Sequence, residues 1–188
     1  MRKNSKVKYM QTVLGESLLA LLKTKPIERI TVTEICKLAD INRGTFYAYF
    51  LDPLDLLSKI EADLYKELVA HSKRPTDLSK AAINDYFRRQ FDLYYDHKDL
   101  MQVLFGEFGD RKFLVKCAMI GYEGAISDWH TMAPNIDRSY LEYTFAYIYK
   151  GCLGIVELWI KNGFSESPAE MAALVTKFFT GSLEKYFS

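Results

Sequence analysis

Cysteine is scarce and long apolar runs are absent. The three cysteines (Cys36, Cys117 and Cys152) are an odd number, lie far apart and show no CxxC or Cys/His ligand spacing. The sequence therefore predicts neither a disulfide framework nor a zinc site. No apolar stretch approaches the length of a membrane span, and the basic first residues lead into an amphipathic stretch, not into the apolar run of a signal peptide. We expect a soluble, cytoplasmic protein with no membrane partner.

Motifs for catalysis and for phosphate binding are also missing. The three histidines (His71, His97 and His130) lie outside any HExxH pattern, and no serine or cysteine occupies a nucleophile elbow. No glycine-rich loop is present that would cradle a phosphate group. The sequence therefore predicts that the protein is not an enzyme and needs neither a cofactor nor a metal.

Strand signals are nearly absent, whereas amphipathic stretches separated by short polar breaks fill the chain. This pattern predicts an all-α fold, and 188 residues, 49% of them hydrophobic, are enough to bury a core. Charge is uneven along the sequence. Residues 1–50 contain nine Lys/Arg against four Asp/Glu, and the remainder contains sixteen against twenty. This distribution indicates a basic N-terminal part followed by an acidic body.

A helix-turn-helix pattern occupies residues 31–50. Thr31 and Glu34 have the spacing of a capping box, which predicts the start of a short helix. Asp40 suits the left-handed conformation of a tight corner, and Asn42 can cap a third helix. Helix, short corner and helix have the spacing of a helix-turn-helix.

The third helix is predicted to have one buried face and one free face. Phe46 and Phe50 lie one turn apart and are predicted to point into the core. The free face carries small side chains, hydroxyl groups and one cation, which suits contact with a DNA groove. After it, Asp52 and Pro53 are the predicted cap and first residue of a fourth helix.

Residues 30–57 read ITVTEICKLADINRGTFYAYFLDPLDLL and resemble the N-terminal signature of the TetR family of transcriptional regulators (TetR/AcrR type). The resemblance implies an N-terminal three-helix DNA-binding domain with a helix-turn-helix over residues 1–60. A larger helical domain for ligand binding and dimerisation would follow over residues 61–188. Beyond about residue 60 the sequence resembles the family only in its helical layout.

The resemblance also implies which residues contact DNA. Thr33 matches a contact at the start of the second helix, Tyr47 a near-fixed aromatic residue, and Tyr49 a phosphate-binding position. The implied DNA-binding residues are Lys6, Lys8, Thr33, Asn42, Arg43, Gly44, Thr45, Tyr47 and Tyr49. At position 53 the family commonly has a lysine, and this chain has proline, so one phosphate contact is lost, although the helix N-terminus can still offer N–H groups to an anion.

Residues 139–162 show two apolar stripes on one predicted helix. The first stripe is Leu141, Phe145, Ile148, Cys152, Ile155 and Trp159, and the second is Tyr140, Tyr147, Gly151, Gly154 and Leu158. A helix that is apolar on two faces needs two partners, which predicts a homodimer through this helix and the last one. The predicted dimerisation residues are Phe145, Ile148, Gly151, Cys152, Gly154, Ile155, Trp159, Phe178 and Phe179. The alternative is that both helices are simply core.

The segments at about residues 78–96, 97–108 and 112–132 are rich in Phe and Tyr. In the last segment the spacing predicts one helix face that carries aromatic side chains and lies beside small residues. This face consists of Val115, Met119, Tyr122, Ile126 and Trp129. Such a wall can line a cavity for a small apolar or aromatic effector, or it can be ordinary packing. No ligand-binding residue is assigned from the sequence.

The resemblance implies a DNA-binding transcriptional regulator, namely a ligand-responsive repressor that binds a palindromic operator as a dimer. Its partners would be double-stranded DNA, a second copy of the chain and a small effector. The alternative is a TetR-like coactivator that acts through a protein partner and has weak or no DNA binding of its own. Proline at position 53 keeps this alternative open.

Overall fold

The computed structural model describes residues 2–73, 75, 77, 79–120 and 122–187, with the backbone alone for 2–7, 111, 118, 132 and 183–187. Every regular element in these residues is helical, which confirms the all-α prediction. A short 3-10 turn covers Ile27–Arg29. The described α-helices are α1 (Arg2–Leu22), α2 (Val32–Leu38), α3 (Arg43–Tyr47), α4 (Pro53–His71), α5 (Lys80–Asp96), α6 (Lys98–Leu104), α7 (Arg111–Ala118), α8 (Tyr122–Met132), α9 (Arg138–Lys161) and α10 (Pro168–Phe187).

The helices form two compact units, each with its own packing. The first unit comprises Met1–Lys66 and Asp99–Phe113, and the second comprises Glu67–Lys98 and Leu114–Ser188. The first unit runs to Lys66 and includes a later segment that contains most of α6. The division into a DNA-binding domain and a regulatory domain after residue 60 stays a prediction.

The first unit is built around one face of α1. Its buried residues in α1 recur every four positions, so they lie on one side of the helix. The buried residues of this core are Met10, Leu14, Leu18, Leu22, Ile30, Ile35, Cys36, Phe46, Phe50, Leu56, Leu57 and Val103. Because α1, α2, α3, α4 and α6 all contribute, the helix-turn-helix rests on a common core.

Contacts from α6 explain why a distant segment joins the first unit. The Lys23 ammonium donates to the Asp99 carboxylate over 3.1 Å and to the Gln102 side-chain oxygen over 3.0 Å. Val103 of α6 is buried in the core of this unit. Interactions between residues almost eighty positions apart leave no local signal in the sequence.

The second unit packs α5 against α10 and α9. The Phe87 ring lies 5.5 Å from the Phe179 ring, and the Phe91 ring lies 5.3 Å from the indole of Trp159. The Trp159 indole N–H donates to the backbone carbonyl of Glu166 over 2.9 Å, which satisfies its one polar group. These edge-on aromatic contacts make α5 and the two last helices one packed layer.

The junction between α9 and α10 is formed by two local caps. Gly163 and Phe164 have positive φ angles of 72° and 59°, and Phe164 donates its N–H to the Trp159 carbonyl over 2.9 Å. Ser167 and Glu170 then exchange backbone and side-chain hydrogen bonds in a capping box before α10. The end of α9 and the start of α10 are therefore set by residues close to each other in the sequence.

The predicted aromatic face over residues 112–132 is wrong as a continuous face. The chain turns after α7, where the Ile120 N–H donates to the Cys117 carbonyl over 3.1 Å, and α8 begins at Tyr122. This turn breaks the helical period. Val115 and Met119 consequently remain 60% and 52% exposed, whereas Ile126 and Trp129 are buried.

Replacement of the central aromatic residue of the first core should be costly. Phe46→Ala removes a ring that is 0% exposed, so we expect the free energy of unfolding to fall by about 3 to 5 kcal/mol. Denaturant titration measures this loss. Tyr47→Ala, at the exposed neighbouring position, should cost about 1 kcal/mol or less, and equal losses for the two variants would contradict the described core.

Candidate nucleic-acid interface

Helix α2 begins at the predicted capping box. The Glu34 N–H donates to the Thr31 hydroxyl over 3.3 Å, and the Thr31 N–H donates to the Glu34 carboxylate over 3.0 Å. A hydrogen bond from Lys25, together with those from Thr31, lowers the pKa of Glu34 from 4.5 to about 2. The start of α2 is therefore held firmly. Thr33, in its first turn, is exposed.

The corner between α2 and α3 also has the predicted geometry. Asp40 has a φ of 53°, and the Ile41 N–H donates to the Cys36 carbonyl over 2.9 Å. Asn42 then caps α3, because its side-chain oxygen accepts the Thr45 N–H over 2.8 Å. These two features, the left-handed corner and the cap, set the direction in which α3 leaves α2.

Two aromatic side chains attach α3 to the core. Phe46 and Phe50 are buried, and their ring centroids lie 5.7 Å apart. Because both rings are on the same side of the segment, the opposite side cannot turn inward without exposing them. The orientation of the free face follows from this burial.

The free face of α3 carries one cation, one glycine and one aromatic ring. Arg43, Gly44 and Tyr47 are exposed, and the Arg43 guanidinium lies 5.9 Å from the centre of the Tyr47 ring. Gly44 adds no side chain, so another molecule can approach the backbone there. Arginine forms bidentate hydrogen bonds with guanine, and an aromatic ring packs against a thymine methyl group. This face can therefore contact base edges.

The other residues predicted to contact DNA differ in how exposed their side chains are. Asn42 and Lys8 are exposed, whereas Thr45 and Tyr49 are half-buried. The Thr45 hydroxyl donates to the Asn42 side-chain oxygen over 3.1 Å, so it supports the cap. The side chain of Lys6 lies outside the described residues.

The entry to α4 carries two carboxylates beside Pro53, the position at which the resembled family commonly has a lysine. The Asp55 N–H donates to the Asp52 carboxylate over 2.8 Å, and the Leu51 N–H donates to the Asp55 carboxylate over 2.9 Å, a bond that lowers the pKa of Asp55. Pro53 has no N–H to offer. The Asp52 carboxylate thus occupies one N–H of the first turn of α4, the Asp55 carboxylate holds the residue before the cap, and both charges repel a phosphate.

Sequence reasoning missed Lys59, which lies beside the end of the recognition segment. Its ammonium donates to the Tyr49 carbonyl over 3.2 Å and to the Asp55 carboxylate over 3.3 Å, and lies 5.0 Å from the centre of the Phe50 ring. Lys59 brings a positive charge to this end of the segment. The spacing of Asp55 and Lys59, four residues apart on one helix, was the available signal.

The predicted dimerisation residues fall into two groups, which the prediction had combined. Trp159 is buried, and Phe145, Ile148 and Phe179 pack against a cluster of Ile126, Trp129 and Leu141 in the same chain. Cys152 and Ile155 are half-buried. The exposed group consists of Gly151, Gly154 and Phe178.

Further apolar residues extend the exposed group into a strip along α9 and α10. We call this surface the α9/α10 strip, and its residues are Tyr147, Gly151, Gly154, Leu158, Leu174, Phe178 and Gly181. A Cβ atom added at any of its three glycines would meet nothing within 4 Å, so the strip is open in the single chain. Because α9 and α10 contact each other, these exposed apolar residues are a candidate interaction surface.

Two further features are absent from the described part of the chain. None of its helices is long and apolar enough to cross a membrane, and it contains no cluster of three His, Cys, Asp or Glu side chains that could hold a metal ion.

Comparison with known proteins adds a family match and a partial relative. Residues 82–181, just over half of the chain, match the family model TetR_C_8, described as a transcriptional regulator C-terminal region. A 53-residue segment, 28% of the chain, is 38% identical to the "Uncharacterized HTH-type transcriptional regulator YxbF" of Bacillus subtilis (strain 168). The match spans only 14% of that relative's length.

Solved structures share the fold at low identity. A TetR-family transcriptional regulator from Streptomyces coelicolor superposes with a TM-score of 0.67 and 17% identity, over 95% of this chain and 82% of that one. The dihydroxyacetone kinase operon activator DhaS superposes with a TM-score of 0.64 and 18% identity, over 95% of this chain and 98% of that one. The fatty acid degradation regulator FadR of Bacillus halodurans superposes with a TM-score of 0.62 and 13% identity, over 92% of this chain and 95% of that one.

Acid should remove the contribution of the Glu34 carboxylate to stability. Because the pKa of Glu34 in the folded protein is about 2, below its ordinary 4.5, that contribution is complete above about pH 4.5 and is lost as the pH falls towards 2. Glu34→Gln keeps a capping group but lacks the charge.

The midpoint of denaturant unfolding at a series of pH values measures this effect. The unfolding midpoint of the wild type should lie at a higher denaturant concentration than that of Glu34→Gln at pH 7. The difference between the two midpoints should shrink as the pH falls from 4.5 to 2. Glu16→Gln, at an exposed position of α1, serves as the control and should show no such trend. A difference between wild type and Glu34→Gln that does not change with pH would contradict the described contacts of Glu34.

Proposed function

The chain belongs to the TetR family of transcriptional regulators, and from that premise we propose that it is a ligand-responsive repressor that binds a palindromic operator as a homodimer. The observation that carries this proposal is the free face of α3. Arg43, Gly44 and Tyr47 are exposed there on a segment whose opposite side is buried through Phe46 and Phe50. A rigid, exposed and cationic helix face is what reading of the major groove requires.

Specific and non-specific contacts would come from different residues. Arg43 is the group suited to hydrogen bonds with base edges, and Tyr47 offers apolar contact beside it. Thr33 and Lys8 are exposed on α2 and α1 and suit contacts with phosphates, which position the protein without reading sequence. Lys59 supplies a cation near Tyr49, close to the position where this chain has Pro53 and not the lysine common in the family.

Dimerisation would use the α9/α10 strip. In the family, the last two helices form the dimer interface, and this strip is the exposed apolar surface of those helices here. The open space at Gly151 and Gly154 allows a second α9 to approach closely. Two copies related by a twofold axis would form a four-helix interface and present two α3 helices about 34 Å apart, in successive major grooves.

Regulation would follow from an effector bound in the second unit. A ligand changes DNA affinity only if it binds two arrangements of the dimer with different affinities. Part of this unit is rich in aromatic side chains, which suits a small apolar or aromatic effector. Most members of the family are repressors, which is the reason for the proposed sign of regulation.

The alternative is a coactivator that works through a protein partner. The observation that favours it is the entry to α4, where Pro53 stands at the position of the family's common lysine and the neighbouring carboxylates of Asp52 and Asp55 repel phosphate. Leu51 and Leu54 beside them are exposed and offer apolar contact. A folded dimer that shows no salt-sensitive, sequence-dependent gel shift with any selected DNA would favour this alternative over the repressor.

Removal of the arginine from α3 should weaken DNA binding and reduce discrimination. The operator is first selected from a pool of random duplexes by binding to the wild-type protein. We expect Arg43→Ala to bind it about tenfold or more weakly, because a bidentate contact with a base contributes about 1 to 3 kcal/mol. Fluorescence anisotropy at fixed salt measures both operator and random DNA.

A matched control separates loss of charge from loss of the contact. Arg88→Ala removes an exposed arginine from α5 in the second unit and should leave operator binding unchanged. An Arg43→Ala variant that keeps the wild-type ratio of operator to random affinity would show that Arg43 does not read the sequence.

A bulky residue in the α9/α10 strip should convert the dimer to a monomer. Gly154→Leu meets no atom of its own chain at the Cβ position and raises helix propensity, so the subunit should be as stable as the wild type or more so. Sedimentation velocity should show a monomer. Ala146→Leu, an exposed position of α9 away from the strip, should remain a dimer. An unchanged dimer for Gly154→Leu would rule out close packing at this surface.

A further inference from the structure

The cap of α3 uses both acceptor positions of the Asn42 side-chain oxygen. This oxygen accepts the Thr45 N–H over 2.8 Å and the Thr45 hydroxyl over 3.1 Å. An amide oxygen has two lone pairs, so these two bonds leave it no acceptor position for another molecule. Because a backbone N–H only donates, the amide atom that faces it must be the oxygen. The end of the Asn42 amide that bonds within the chain is therefore its acceptor end.

The other end of the Asn42 amide is available to a partner. Among the described residues, none accepts a hydrogen bond from its Nδ2 group, and Asn42 is exposed. A Cβ atom added to Gly44 would lie 3.3 Å from the Asn42 side-chain oxygen, so the amide lies beside the glycine of the free face. Asn42 therefore brings two N–H donors, and no acceptor, to the face of α3 that is proposed to meet DNA.

The neighbouring side chains are equally one-sided. Arg43 is exposed, and a guanidinium has donors only. The Thr45 hydroxyl gives its single hydrogen to Asn42, so towards any other molecule it can only accept. The cap thus fixes the direction of every hydrogen bond at this end of the face. Asn42 and Arg43 donate, and Thr45 accepts.

Base edges in the major groove differ in the acceptors that they present. Guanine presents two acceptors, O6 and N7, whereas adenine presents one acceptor, N7, beside the N6 donor. Asparagine ordinarily reads adenine, because its oxygen and its nitrogen pair with N6 and N7 together. Asn42 can make that contact only by breaking the hydrogen bonds that begin α3. Its two Nδ2 hydrogens instead match the two acceptors of guanine.

We propose that Asn42 is a specificity-determining residue, which reads guanine in each half of the operator by donation from Nδ2 and does not read adenine. This inference rests on the proposed function, in which α3 enters the major groove, and deepens it by naming a base. The capping bonds are what excludes adenine, so the residue that begins the helix also limits what the helix reads.

Asn42→Asp reverses the free end of the side chain and keeps the cap. Aspartate caps helices about as well as asparagine, and its second carboxylate oxygen replaces the Nδ2 donors with an acceptor. A carboxylate accepts from the N4 donor of cytosine. Operators are selected from random duplexes by each protein, and both pools are sequenced. We expect cytosine in the Asn42→Asp pool at the one position of each half where the wild type selects guanine, with the other positions unchanged.

Fluorescence anisotropy at fixed salt measures the size of this exchange. On the wild-type operator, Asn42→Asp should bind about fivefold or more weakly than the wild type. The added negative charge weakens binding to every sequence, so the decisive quantity is the ratio of affinities for the guanine and cytosine operators. This ratio should favour guanine in the wild type and cytosine in the variant. Asn42→Asp should melt at the wild-type temperature, whereas Asn42→Ala, which lacks the cap, should melt lower.

Two further variants serve as controls. Asn135→Asp makes the same substitution at an exposed position between α8 and α9, in the second unit, and should keep the preference for guanine. Asn42→Ser keeps a capping oxygen but lacks the amide. It should lose discrimination at this position without gaining a preference for cytosine.

Three outcomes would overturn the inference. They are a base other than guanine in the wild-type pool at the position that responds to Asn42→Asp, a variant pool identical to that of the wild type, and an unchanged ratio of affinities. The last would identify Asn42 as a phosphate contact. A wild-type protein that selects no sequence would refute the repressor and this inference together, whereas a selected palindrome with any of the three outcomes would refute the inference alone.

Discussion

The burial of Phe46 and Phe50 is the constraint on which the DNA-binding account depends. These rings occupy the core that α1, α2, α4 and α6 share, so a rotation of α3 would expose them to water. The Asp40 corner and the Asn42 cap act in the same direction, because they set where α3 begins. The exposed face with Arg43 is therefore a consequence of what the opposite face buries.

Charge near this face is divided between attraction and repulsion. Arg43 and Lys59 bring positive charge to the two ends of the recognition segment, whereas Asp52 and Asp55 occupy the entry to α4. The Asp52 carboxylate caps α4 by accepting the Asp55 N–H, and both negative charges lie at the helix N-terminus, where they are stabilising. The same charges oppose a phosphate nearby. This chain thus stabilises a helix start beside the proposed DNA-binding face, and base contacts would need to contribute more of the proposed affinity.

Local features of the fold were predictable from the sequence, and long-range ones were not. The Thr31 and Ser167 capping boxes depend on residues within three positions of each other, so the sequence reveals them directly. The place of α6 beside Lys23 depends on residues almost eighty positions apart. The turn after α7 interrupts a helical period that runs on in the sequence. Which face of α9 is buried depends on packing against other helices, such as α8, so the sequence alone does not distinguish the buried face from the exposed one.

The central claim is that two copies of this chain read DNA symmetrically through α3. A hydroxyl-radical footprint on a selected operator tests this claim most directly. The account predicts two protected regions, centred about one helical turn apart and related by a twofold axis. A single protected region, or protection that extends evenly along random DNA, would contradict it.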